Sequence, residues 1–99
     1  MLCEHKTCVF DEYTCTGPYD LTTKTFNGYC EINHMNGDIF KGYVKHNLYD
    51  GYGVLCSTNG DEYKGSFKNS LYHGKGILDK KNIFTIYDGE WENGMYISL

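Results

Sequence analysis

The chain has 99 residues, a formal charge of −4, nine lysines and no arginine, which bounds it to one small domain and withholds the basic face that nucleic-acid binding requires. Alanine and glutamine are absent, which argues against substantial helix, and aromatic residues make up 16% and run through most of the chain, which argues against disorder. No apolar run approaches the ~20 residues needed to cross a bilayer as a helix.

Residues 1–14 are the least regular part, although Val9-Phe10 and Tyr13 offer material for a strand. Met1-Leu2-Cys3-Glu4-His5-Lys6 is not followed by an apolar core of signal-peptide length. With five cysteines, an odd number, this points to reduced thiols and a cytoplasmic setting. Cys3, His5, Cys8 and Cys15 place four soft ligands within thirteen residues, but not in the paired C-x2-C spacing of a strong zinc signal. The expectation is unligated thiols, with no metal and no cofactor. Two repeat phases fit before Gly28. One aligns Asp11-Glu12-Tyr13 with Asp61-Glu62-Tyr63 and needs a four-residue insertion. The other aligns Cys15-Thr16-Gly17-Pro18-Tyr19 with Phe40-Lys41-Gly42-Tyr43-Val44, needs two, and is preferred.

From Gly28 the phase locks. Asp38 to Gly53 matches Asp61 to Gly76 at an offset of 23, and Tyr87-Asp88-Gly89-Glu90-Trp91 repeats Tyr63-Lys64-Gly65-Ser66-Phe67 at an offset of 24. A fixed period in this range marks a repeat architecture. Within Asp61–Lys68, Tyr63, Gly65 and Phe67 alternate with Glu62, Lys64, Ser66 and Lys68, the period-2 pattern of a strand with one packed and one wet face. Asn69 to His73 reads as a turn. Asn36-Gly37, Asn59-Gly60 and Lys81-Asn82 supply turn residues between hairpins. Strands are predicted near 26–33, 38–45, 51–57, 61–68, 74–79 and 84–92. Six or seven strands at ~4.8 Å each make a ribbon roughly 30 Å long. Gly42, Gly65 and Gly89 share the aromatic face, and Gly51, Gly53, Gly74 and Gly76 open the return strands, where close backbone approach is expected. Leu48, Leu71 and Met95 recur after the aromatic strand and are expected to cap the stack.

The pattern Tyr-x-Gly-x-aromatic, a short turn, Gly-x-Gly and an Asn-Gly-Asp junction resembles the MORN repeat over about residues 15–99. It is carried by Phe40, Gly42, Gly51 and Gly53, then by Tyr63, Gly65, Phe67, Gly74 and Gly76, then by Tyr87, Gly89 and Trp91. Val44 stands where an aromatic is usual, and Cys30 where a glycine is. The resemblance implies an all-β, single-layer twisted stack of antiparallel hairpins in a single domain, about three and a half copies near 15–37, 38–60, 61–84 and 85–99. It also implies a platform for interaction or dimerisation, credited in some relatives with phospholipid binding, and no catalytic residue.

The residues themselves agree on the last point. No nucleophile-base-orienter set stands out, and the carboxylates fall on wet strand faces or junctions rather than paired in a cleft. His34, His46 and His73 read as surface residues. A non-catalytic scaffold with a protein partner or a second copy of itself is therefore expected. A phosphoinositide- or membrane-binding module is the alternative, disfavoured because anionic headgroups attract clustered basic segments. The last repeat reads as stopping before its return strand, which leaves an open apolar end, so Tyr63, Phe67, Tyr87, Trp91, Met95 and Tyr96 are the candidate binding residues for a homodimer.

Overall fold

The computed structural model describes residues 3–98; Met1, Leu2 and Leu99 lie outside them, Leu99 being the last residue of the apolar end noted above. The strands are β1 (Cys3–Val9), β2 (Tyr13–Asp20), β3 (Thr25–Phe26), β4 (Gly28–His34), β5 (Ile39–Lys45), β6 (Leu48–Cys56), β7 (Asp61–Lys68), β8 (Leu71–Lys80), β9 (Thr85–Glu92) and β10 (Met95–Ser98). They form one open antiparallel sheet in chain order, with short β3 beside β2. Among the described residues the one helical element is a 3-10 turn, Lys81–Ile83. The fold is an all-β stack of hairpins.

Three details differ from expectation. The N-terminal segment is regular: β1 pairs with β2 along its whole length, from Cys3↔Asp20 to Val9↔Thr14. Lys6 packs its ammonium over the Tyr19 ring at 4.2 Å, and Thr7 hydrogen-bonds Thr16 at 2.8 Å on the other face. The final hairpin is also closed, because Met95 and Tyr96 pair with Glu92 and Trp91. The return strand that the sequence left missing is β10. With these strands the ribbon is 42 Å long rather than 30 Å.

The third difference lies in the hairpin turns. They are two residues long: His46-Asn47, Asn69-Ser70 and Asn93-Gly94, each with both φ values positive. That geometry matches the right-handed twist of the flanking strands and closes a hairpin at once. The return strands therefore begin at Leu48 and Leu71, three residues before Gly51 and Gly74. A bulge follows. Val44 faces Tyr49 but Gly42 faces Gly53, and Phe67 faces Tyr72 but Gly65 faces Gly76. The extra residues bend the strand around Gly51 (φ +108°) and Gly74 (φ +87°), a conformation L side chains rarely adopt.

The bulge turns Tyr49 and Tyr72 back onto the core face. Tyr49 stacks on Phe40 at 3.8 Å, and Tyr72 on Tyr63 at 3.9 Å. Phe67 meets both stacks edge-on, at 5.5 Å from Tyr49 and 5.6 Å from Tyr72. A single-layer sheet buries these rings because they lie over glycines rather than against a second layer. A Cβ on Gly53 would stand 2.5 Å from the Phe40 ring, and one on Gly76 would run into Tyr63. Successive hairpins are also tied at both margins. The amides of Asn47, Ser70 and Gly94 donate to the carbonyls of Phe26, Tyr49 and Tyr72, each one repeat earlier. At the opposite margin Thr58 donates its amide to Asp38 at 3.0 Å, and the Asn82 side chain donates to the Asn59 carbonyl.

Candidate functional site

The six candidate binding residues divide by exposure. Tyr63, Phe67 and Trp91 are buried in the core. Tyr63 donates its hydroxyl to the Ser66 carbonyl at 2.9 Å, and Trp91 donates its indole N–H to the Gly76 carbonyl at 3.1 Å. Tyr87 and Tyr96 are partly buried, and Tyr96 lies edge-on to Trp91 at 5.1 Å and to Tyr87 at 5.3 Å. Met95 alone is open, at 73% exposure. The aromatic members are thus chiefly the sheet's own packing, ordered along the ribbon.

Leu48 and Leu71 do not cap that stack; each is 45% exposed, as Met95 is more so. The caps are the next residues along, Tyr49, Tyr72 and Tyr96, in line with Phe26 of the first hairpin. The spacing 26, 49, 72, 96 carries the same period as the glycines, but Tyr49 and Tyr72 fall where a longer turn was expected.

Burial sets the ionisation of these phenols. Tyr63 is pushed up to about 12 by burial and then by Tyr72 beside it. Tyr49 is pushed up to about 12 by burial and then by Asp38. Its hydroxyl and the Nε2 of His34 are 2.7 Å apart, so His34 is tied to the core edge rather than free at the surface. Tyr72 is raised as well, again chiefly by burial.

The opposite face holds what sequence reasoning passed over. Tyr29 and Tyr43 sit opposite each other on β4 and β5 with rings 5.5 Å apart. With Tyr52 on β6 they make a transverse row of half-exposed tyrosines. Ile39, Ile77 and Ile86 are exposed too. Ion pairs cross this face between Lys41 and Glu31 at 3.4 Å and between Lys64 and Glu62 at 3.7 Å. The signal was present as aromatics out of phase with Phe40 and Tyr63, in positions the alternation assigned to water.

The soft ligands near the N-terminus do not converge. Cys8 lies against the core together with Cys15, while alternation along β1 sends Cys3 and His5 to the other side. Among the described residues no group of three or more His, Cys, Asp or Glu is placed to hold a metal ion.

The two-residue turns, the glycine pairs and the stacked rings recur hairpin by hairpin, and the comparison with known families falls on the same residues. The MORN-repeat family model matches residues 40–62, 63–82 and 87–96, more than half of the chain. The chain belongs to the MORN-repeat family. No curated protein matches it. MORN repeats are generally non-catalytic modules for protein or membrane interaction. The match starts at Phe40, yet β2 to β4 keep the register of a MORN hairpin: Cys15 faces Ile32 as Phe40 faces Leu55. Among the described residues, no helix is long and apolar enough to cross a membrane.

Proposed function

We propose that this chain is a non-catalytic protein-interaction module that associates with a second copy of itself across the outer edge of β10. The observation that carries the reading is that edge. Among the described residues β10 is paired only with β9, and it exposes Met95 and Ile97. An unpaired strand edge is a template for another strand, and apolar exposure on it lacks the charges that usually block such pairing. Two-fold pairing of β10 with its own copy would continue the sheet and bring the Tyr96-capped aromatic stacks together.

The open tyrosine row supports a protein partner on the second face, tyrosine being enriched at interfaces. A lipid-binding role has less support, because the nine lysines are scattered and four of them are engaged with Glu31, Glu62 and Asp61. The test is light scattering at micromolar concentration on the intact chain and on Met95→Lys/Ile97→Lys, which places charges on the edge while leaving Trp91 and Tyr96 in position. The expected result is twice the 11.4 kDa chain mass, falling to one chain in the variant. A monomeric intact chain overturns the reading.

A further inference from the structure

Five cysteines allow ten pairings, and the sheet selects one of them. Cys8 on β1 and Cys15 on β2 are direct cross-strand partners, side by side on the core face. Directly opposed residues in antiparallel strands have Cα atoms about 4.5 or 5.5 Å apart, depending on the pair type. Both values fall in the ~4.4–6.8 Å window within which a disulfide closes without backbone movement. The other close pair is less suited. Cys30 lies on the diagonal, because Cys15 faces Ile32, and although the two thiols are neighbours, diagonal backbone positions stand ~7–8 Å apart, at or beyond that limit. Cys3 points to the opposite side of β1, and Cys56 is on β6.

Exposure separates the roles of the two sulfurs. Cys8 is half-buried, at the margin of the core, and Cys15 is buried behind it. The neighbouring Cys30 thiol and burial push the ionisation of Cys15 upward, so at rest it is a thiol. An approaching reagent therefore meets Cys8 first.

We propose that Cys8 and Cys15 form a thiol–disulfide exchange site that takes small-molecule disulfides and closes into a cross-strand bond stapling β1 to β2. In the first step the Cys8 sulfur, having lost its proton, attacks one sulfur of the small disulfide. The Cys8–S–S–R bond forms, the reagent's S–S bond breaks, and the departing thiolate takes up the proton. In the second step Cys15 attacks the Cys8 sulfur, and its proton passes to the second small thiolate as that thiolate is expelled. Two protein thiols are oxidised by two electrons, and one small disulfide is reduced to two thiols. The bond acts on an edge strand, because β1 pairs with β2 alone among the described residues.

The experiment incubates the intact chain with oxidised glutathione and follows it by mass spectrometry with peptide mapping, then by hydrogen exchange. The expected product links Cys8 to Cys15 without retained glutathione on either, and the amides of residues 3–9 exchange at least tenfold more slowly. In Cys15→Ser the second step is blocked, so glutathione should remain on Cys8. Glutathione retained on Cys8 in the intact chain, a bond from Cys8 to any other cysteine, both thiols left free, or unchanged exchange in 3–9 overturns the proposal. The mapping on the intact chain stands whether or not the serine variant folds.

Discussion

Truncating Tyr72 should damage the fold far more than truncating its neighbour Leu71. Tyr72 covers Tyr63 at 3.9 Å and meets Phe67 and Trp91 edge-on at 5.6 and 5.3 Å. A tyrosine buries ~150–250 Å² when fully covered. Tyr72 is only partly buried, so about 100–150 Å² is the relevant area, which at ~25 cal/mol per Å² is about 3 kcal/mol. Leu71 is 45% exposed and should cost about 1 kcal/mol. Urea unfolding measures both. With a slope of ~1.5 kcal/mol per M, Tyr72→Ala moves the midpoint down by about 2 M and Leu71→Ala by well under 1 M. Equal shifts, or a larger one for Leu71, would mean that the leucines close the stack after all and the tyrosines do not.

Two further outcomes follow from the same core. Gly53→Ala sets a Cβ against the Phe40 ring and should cost about 1–3 kcal/mol, the range for overpacking; in a double-mutant cycle with Phe40→Leu that cost should shrink, and strict additivity would place the ring elsewhere. Tyr49 and Tyr63 ionise near 12 in the folded chain rather than near 10. The unfolded chain therefore loses those protons first, and stability that is complete below about pH 10 declines as the pH rises through about 12. Tyrosinate absorbance should accordingly show a late class among the ten tyrosines, merging with the others in urea; a single class near 10 without denaturant would refute the burial argument.

The period-2 pattern around Tyr63, Gly65 and Phe67 and the 23-residue offset made the middle hairpins legible, because there the large ring and its facing glycine are both present. They were harder to read where the same space is filled differently. At the first hairpin Cys15 and Cys30 stand at the places of Phe40 and Gly53, two mid-sized side chains for one large and one absent. The volume is shared out while the spelling changes, so the repeat fades in sequence but persists in register. The turns misled for another reason. His46, Asn69 and Ser70 adopt positive φ without being glycine, so in sequence the glycines Gly51 and Gly74, which sit at a strand bulge, look like the start of the strand. Of the candidate residues, Met95 lies open at the sheet edge instead of capping the stack, and the tyrosine row on the wet face stands where alternation implies solvation.

The strand order also has a mechanical meaning. β1 and β10 stand at opposite ends of the path, so tension between the two ends acts across the strands and along their hydrogen bonds. Such a load opens one pair after another instead of shearing many at once. Each 23-residue repeat, spaced as Gly28, Gly51 and Gly74 are, would pay out about 70 Å of chain, from ~3.4 Å per residue less the width of two strands. Under a pull the ribbon is then a row of extensible links, lengthening in steps and yielding from its ends before its middle.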